Sequence, residues 1–199
     1  MKSTPKPTTL MKFNPLTAGI CTLLAQSTPA QDTKPAAKET KTKLEAFEAQ
    51  AGAVLIKGIT EVGSVKGMGS VAVDCREFAD AATGRKEYGI SIEVTGSGSF
   101  ERKDTAFIDY EEIDSLLKGI DYISKIDKSV TPLTTFEAVY RTKGDLQVTT
   151  FTTAANSKVQ AAVQSGRFSS ASAFLSLDQL AKFRGLVADA KAKLDSIKK

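Results

Sequence analysis

The residue types that carry most protein chemistry are sparse in this sequence. None of the 199 residues is histidine, and the two cysteines are Cys21 and Cys75. Without an imidazole, neither a Ser-His-acid triad nor a Cys-His pair can be built, and no histidine is available to zinc or haem. Cys75 alone cannot form a CxxC redox pair, and its place in an alternating apolar pattern predicts a small core side chain. We therefore assign no catalytic, cofactor-binding or metal-binding residue and expect no cofactor.

One cluster of carboxylates leaves an enzymatic alternative open. Asp109, Glu111, Glu112 and Asp114 lie within six positions of one another, and paired carboxylates can perform acid–base chemistry of the glycosidase type. Acidic residues at the start of a helix also stabilise its dipole and cap its backbone. We favour this structural role, so the expected protein is not an enzyme.

A glycine- and serine-rich segment resembles a phosphate loop only superficially. Residues 96–99 read Gly-Ser-Gly-Ser, but the GxGxxG pattern is not completed, the Walker lysine is missing and no helix is predicted immediately afterwards. A surface loop is the better interpretation.

The N-terminus has the three parts of a signal peptide. Basic residues extend to Lys12, an apolar stretch covers residues 16–25, and small residues follow. About ten apolar residues are too few to cross a bilayer, which needs about 20. The sequence predicts export to the periplasm or the medium, with cleavage near Ala30, and no transmembrane segment in the mature chain.

Three details of this leader have alternatives. Cleavage could follow Ser27 instead of Ala30, and Met11 could be the true start. Cys21 could be acylated as in a lipoprotein, but Ile20 stands where a small residue is expected. An incidental cysteine in an apolar leader is the simpler interpretation.

Removing the leader also removes the apparent basicity of the chain. The leader holds three lysines and no acid; without them, 24 of the 27 basic residues remain against 23 acidic residues, a net charge of +1. A nearly neutral protein lacks the broad positive surface that nucleic-acid binding needs. We expect no nucleic-acid partner.

The sequence predicts that the mature chain consists of a short linker followed by one domain. Residues 31–43 offer nothing larger than alanine to bury and predict a flexible linker, and residues 44–199 fit the size of a single globular domain. Leu44 and Phe47, three positions apart, predict a short amphipathic helix that Gly52 ends.

Alternating apolar residues predict strands, and helical spacing predicts two longer helices. Tyr88, Ile90, Ile92 and Val94 alternate with smaller or polar residues, which places one apolar face of that strand on the core and leaves the other face polar. The predicted strands cover residues 53–61, 70–80, 86–96, 105–108, 135–142, 146–153, 158–165 and 170–175, and the helices cover residues 110–126 and 177–197. Each helix should bury one apolar stripe: Ile113, Leu116, Leu117, Ile120 and Ile123 in the first, and Leu180, Phe183, Val187, Ala190 and Leu194 in the second.

Two segments align without gaps at an offset of 67 residues, namely 105–125 and 172–192. Both begin with Ala-Phe-aliphatic, and both continue with a possible capping box: Asp109 with Glu112, and Ser176 with Gln179. We interpret the match as an internal duplication with repeats 53–127 and 135–197. The alternative is that both segments obey the same strand-to-helix rules without common ancestry.

These patterns predict an α+β fold. We expect an antiparallel sheet or partial barrel of seven to eight strands with two amphipathic helices packed on it. A well-patterned domain without a catalytic constellation favours a non-catalytic binding or structural module of the cell envelope, whose partner is a protein, an envelope component or a small ligand. The alternatives are a carrier of an apolar small ligand and a histidine-independent enzyme that uses carboxylates.

Overall fold

The computed structural model describes residues 41–97, 102–166 and 170–198, which lie within one compact unit, Lys38–Lys199. The predicted signal peptide and residues 31–40 of the predicted linker lie outside the described residues. So do Gly98 and Ser99 of the glycine-serine segment.

The chain alternates four strands with one helix, twice, after a short first helix. In order, the elements are α1 (Lys43–Glu48), β1 (Leu55–Gly67), β2 (Gly69–Asp80), β3 (Lys86–Thr95), β4 (Lys103–Asp109), α2 (Ile113–Ile123), β5 (Glu137–Arg141), β6 (Leu146–Thr153), β7 (Asn156–Ser165), β8 (Ala171–Leu175) and α3 (Leu177–Ile197). Single 3-10 turns at Tyr110–Glu112 and Lys128–Val130 flank α2. The protein is therefore an α+β protein, as the sequence predicts.

The described strands form two antiparallel sheets and no closed barrel, which corrects the expectation of one sheet or partial barrel. The first sheet has the order β1-β2-β3-β4 and the second has the order β5-β6-β7-β8. Each strand pairs with its neighbours in sequence, and α2 with its flanking turns separates β4 from β5. Within the same ranges the sheets are joined by one bridge, in which the backbones of Met68 and Phe174 exchange two hydrogen bonds of 2.9 Å.

Both sheets and both long helices share one hydrophobic core. The helix α2 follows the first sheet in sequence but contacts β5 and β6 of the second sheet. The helix α3 follows the second sheet but contacts mainly β1 and β2 of the first sheet. The predicted stripe of α3 is confirmed, because all five of its members are buried: Leu180, Phe183, Val187, Ala190 and Leu194. In α2, Leu117 is only partly buried, and the other four predicted positions are buried.

Polar contacts fix the two helices in place. Arg184 of α3 donates two hydrogen bonds, of 3.0 and 2.9 Å, to the carboxylate of Asp121 on α2. The hydroxyl of Thr150 on β6 donates to the backbone carbonyl of Ile123 at the end of α2, at 2.9 Å. These bonds tie α2 to both α3 and the second sheet.

The two predicted capping boxes have different outcomes. Ser176 and Gln179 form the predicted reciprocal pair at the start of α3. The prediction for Asp109 and Glu112 is wrong, because the chain enters α2 through a 3-10 turn and the Asp109 side chain makes no cap bond there. A capping box that the sequence analysis missed lies at α1, where Thr42 pairs with Glu45.

Among the described residues, no helix combines the length and the apolarity that crossing a membrane would require.

Candidate binding face

The chemically versatile residues of the sequence are occupied by structural contacts. Cys75 is buried in the core, where its thiol lies 3.5 Å from the carbonyl oxygen of Ala190. Burial raises the pKa of this thiol, which lowers the fraction present as reactive thiolate. Within the described ranges, no group of three or more carboxylate, cysteine or histidine side chains could hold a metal ion.

The carboxylates near residue 110 hold α1 against the first sheet. Asp109 is buried, and its two oxygens accept hydrogen bonds from the backbone N–H groups of Lys43 and Leu44, at 3.0 and 3.2 Å. Glu111 forms an ion pair with Lys43 at 2.7 Å. The hydrogen bond from Lys43 lowers the pKa of the Glu111 carboxyl. These two acids therefore satisfy and orient the start of α1.

Glu112 is the remaining partly buried acid of this cluster. One of its oxygens accepts the backbone N–H of Lys143 at 2.9 Å, which links α2 to the β5–β6 turn. Its other oxygen is buried without a hydrogen bond among the described residues. Burial, followed by the charge of Glu112, raises the pKa of the nearby Tyr140 hydroxyl. The three acids thus bind four different groups: the backbone N–H groups of Lys43, Leu44 and Lys143, and the ammonium group of Lys43.

The first sheet carries an aromatic pair on its outer face, the face turned away from α2 and α3. Phe78 of β2 and Phe107 of β4 meet edge to face, with ring centroids 5.9 Å apart and an interplanar angle of 70°. Leu44 and Phe47 of α1 pack on this pair and are themselves buried, Phe47 with 2% of its surface exposed. The helix α1 therefore covers the aromatic pair of the first sheet.

Part of the polar face of β3 is also buried. Gly89 and Ser91, which alternate with the core residues of β3, are buried. A Cβ atom at Gly89 would lie 2.6 Å from a methyl group of Leu44. Ser91 accepts a hydrogen bond of 2.7 Å from Arg76, which also pairs with Asp74.

The second sheet carries a similar aromatic pair that no described helix covers. Phe151 of β6 and Phe174 of β8 again meet edge to face, with centroids 6.3 Å apart and an interplanar angle of 73°. In both sheets the rings come from the second and fourth strands. Phe174 is 45% exposed, and Met68, whose backbone pairs with it, is 64% exposed. We call the exposed surface formed by Met68, Phe151 and Phe174 the open aromatic patch.

Two shallow grooves adjoin this patch on the outer face of the second sheet. One, of about 590 Å³, runs from Met68 past Phe151 and Phe174 to Ser176 and is mainly apolar. The other, of about 380 Å³, shares Phe151 and Phe174 and continues over hydroxyl and amide side chains, namely Thr135, Gln147, Thr149, Thr152, Gln164 and Ser172. The floor is thus aromatic at one end and polar at the other, where Glu137 also lines the groove, and this suits contact with a surface of mixed polarity.

Comparison of this chain with known protein families, curated proteins and solved structures finds no match.

The residues of this patch were not predicted from the sequence. A pointer was present, because the repeated Ala-Phe-aliphatic motif places Phe107 and Phe174 at equivalent positions. In each strand the two neighbours of the phenylalanine face the core, so the phenylalanine must face outwards. The alternation alone could not show that α1 covers one of these rings and leaves the other accessible.

Proposed function

We propose that this protein is an exported, non-catalytic binding module of the cell envelope, and that the outer face of its second sheet binds an amphipathic segment of a partner protein. The observation that carries the proposal is the difference between the two aromatic pairs. One is covered by an apolar helix of the same chain, and the other lies open beside a groove of about 590 Å³. Exposed aromatic clusters of this kind are common at protein-binding sites.

The first sheet indicates what kind of segment would fit. The helix α1 presents Leu44 and Phe47, three residues apart, to the rings of Phe78 and Phe107. A partner helix with large apolar residues three or four positions apart can present the same stripe to Phe151 and Phe174. The hydroxyl and amide groups beyond the patch can then bond to the polar flank of that helix.

Export rests on the N-terminal pattern of charge, apolar residues and small residues. An exported protein meets an oxidising compartment, where a single buried thiol such as Cys75 offers no intramolecular disulfide. Mass spectrometry of the protein recovered from its native host should give a mature chain that begins at Gln31. A chain that retains the leader inside the cell would contradict export.

We extend the proposal to the origin of the fold. Both sheets are four-strand meanders followed by a helix, and the two helices contact each other. This arrangement, with the two aligned segments, supports an ancestral duplication in which each helix packs on the other unit's sheet. Separate expression offers a test: the two halves, mixed, should form a folded complex, whereas two halves that fold independently would contradict the exchanged packing.

A carrier of an apolar ligand is the second candidate function, favoured by the mainly apolar lining of the larger groove. A ligand would occupy this outer groove, since the space between sheets and helices is filled by contacting core side chains. Extraction of the purified protein followed by lipid mass spectrometry distinguishes the two candidates, because only a carrier yields a bound lipid in stoichiometric amount.

Site-specific photo-crosslinking tests the binding of a partner helix. A photoreactive side chain at Ser172, beside the patch, is expected to capture a protein from the envelope of the native host. The captured peptide should carry apolar residues three and four positions apart. The same group at Asp114, on the exposed side of α2, is the control for position.

A double substitution, Phe151→Ala with Phe174→Ala, should reduce capture at least about tenfold. Circular dichroism and an unfolding curve would verify that this variant remains folded. Capture that is unchanged in the double variant, or captured peptides without an amphipathic pattern, would contradict the proposal.

A further inference from the structure

The first strand of the first sheet has an unusually exposed free edge. β1 pairs with β2 on one side, and no strand among the described residues pairs with its other side. Ile56 and Ile59 in its first half are 57% and 56% exposed. A long edge strand with exposed apolar residues offers a row of unpaired N–H and C=O groups to another strand.

The hydrogen bonds to β2 show which backbone groups of β1 face this free edge. The backbone N–H of Ala81 donates to the carbonyl of Val54 at 3.0 Å, one residue before β1. Because bonded and non-bonded residues alternate along an antiparallel pair, every second residue from Val54 faces β2 and the intervening residues face outwards. The outward residues are Leu55, Lys57, Ile59 and Glu61.

These outward residues are complementary to themselves under a two-fold rotation. If Ile59 pairs with Ile59 of a second copy, Lys57 of each copy lies opposite Glu61 of the other. All of these positions carry outward N–H and C=O groups, so the pairing forms about six backbone hydrogen bonds between the copies. We propose that the protein forms a symmetric dimer in which the β1 edges of two copies pair antiparallel, centred on Ile59.

The side chains support the same register. Ile59 lies opposite Arg76 and Lys57 lies opposite Phe78 across the β1–β2 ladder, so both project from the outer face of the first sheet. The dimer brings the two Ile59 side chains together and places each Lys57 beside Glu61 of the other copy on that same face. Opposite charges across a strand pair stabilise it, and like charges destabilise it.

Two local features are compatible with this pairing. Lys57 already forms an ion pair with Glu48, but an ammonium group has three donors and can bond to a second carboxylate. The register of β1 against β2 shifts between Glu61 and Gly63, which marks a bulge. The segment from Leu55 to Glu61 ends before this bulge, so the regular part of the edge is long enough for the pairing.

Charge reversal at the two partner positions tests the register. In the proposed register, position 57 of one copy faces position 61 of the other. Glu61→Lys therefore places lysine opposite lysine at both of these contacts, and Lys57→Glu places glutamate opposite glutamate. Each variant alone should raise the dissociation constant of its own dimer about tenfold or more, as measured by analytical ultracentrifugation. An equimolar mixture should form a mixed dimer about as tightly as the unmodified protein, because every Lys–Glu contact is restored.

A disulfide provides an independent check of the centre of symmetry. Two residues in a hydrogen-bonded antiparallel pair have Cα atoms about 5.5 Å apart, within the range that a disulfide can bridge. Ile59→Cys should therefore cross-link two copies under mild oxidation. The control Ile56→Cys should not, because this register separates the two introduced thiols by about 20 Å along the strands.

Either experiment can overturn the proposal. An unmodified protein that remains monomeric at every accessible concentration excludes the dimer. A dimer that is indifferent to charge reversal, or that cross-links as well through Ile56→Cys as through Ile59→Cys, shows that the copies associate elsewhere. The open aromatic patch is not used in this dimer, so the result does not decide the proposed function.

Discussion

On the first sheet, Phe78 and Phe107 meet edge to face beneath Leu44 and Phe47 of α1. On the second sheet, Phe151 and Phe174 meet with nearly the same geometry, but the rings remain accessible. Neither pair belongs to the core shared by the sheets and long helices, so each depends on a cover outside that core. The first sheet has its cover within the chain, and the second has none among the described residues.

This difference shows how one arrangement of strands can serve either stability or recognition. A covering helix in the same chain is held close by its connection to β1, so it needs no high affinity of its own. Polar contacts also fix the orientation of α1 on the sheet, because Asp109 and Glu111 bind its first turn. An uncovered pair contributes less to the stability of the free protein and leaves apolar surface for another molecule.

The most direct comparison truncates one aromatic ring at each site, Phe47 in the cover of the first sheet and Phe174 on the open second sheet. It has the largest expected effect on the free energy of unfolding. Phe47→Ala should lower the free energy of unfolding by about 3 kcal/mol, since it empties a buried site beneath α1. Phe174→Ala should cost less than about half as much, because its ring is 45% exposed. Urea denaturation of both variants measures the difference. Equal losses would show that Phe174 of the open pair contributes as much to stability as Phe47, the residue that covers the first pair.

The second-largest expected loss of unfolding free energy comes from neutralising Asp109, the acid that holds α1. Asp109→Asn retains one oxygen as a neutral acceptor and replaces the other with a donor, so one of the two N–H groups of α1 keeps a weaker bond and the other loses its acceptor. We expect a loss of about 1–3 kcal/mol. Hydrogen exchange should show faster exchange of the α1 amides than of those in α2 and α3.

The matched control for that substitution is Asp114→Asn, a change of the same chemistry at an exposed position of α2. It should alter stability by no more than about 0.5 kcal/mol. If Asp109→Asn is as mild as its control, the carboxylate does not hold α1 and the cover of the first sheet rests on apolar packing alone.

The elements of this fold are largely visible in the sequence because local patterns determine them. The alternation in β3 and the 3.6-residue period of α3 each specify a face, and both faces are buried as that pattern requires. The limits of β1 were less predictable: the strand begins at Leu55 and continues to Gly67. The predicted strand ends at residue 61, and the six further residues include Gly63 and Gly67, which interrupt the alternation from which a strand is predicted.

The division into two sheets and the cover of one of them were not predictable for a different reason. Strand pairing and helix packing are long-range contacts, and the stripe on α2 specifies that it is buried without specifying which sheet buries it. Asp109 shows the same limit locally. Its spacing from Glu112 fits a capping box, but α1 offers it two unpaired N–H groups from 65 residues away in sequence.

The smallest expected effect is the pH dependence of the ion pair between Glu111 and Lys43. The hydrogen bond from Lys43 lowers the pKa of Glu111 in the folded protein, below the value of about 4.3 of an unperturbed glutamate. The stabilisation is therefore complete above the unfolded-state pKa and is lost as the pH falls through the folded-state pKa. Both side chains are more than half exposed, so it amounts to a few tenths of a kcal/mol.

Comparing the unfolding free energy of Glu111→Gln with that of the parent should show this small difference at pH 7 and a smaller one at pH 3. Salt at about 1 M should also remove the difference at pH 7, because the Debye length then falls to about 3 Å. Glu137→Gln, at the edge of the second sheet, serves as the control on the open side. If the Glu111→Gln difference is as large at pH 3 as at pH 7, the ionised carboxylate is not its source, and α1 is held by apolar contacts that do not titrate.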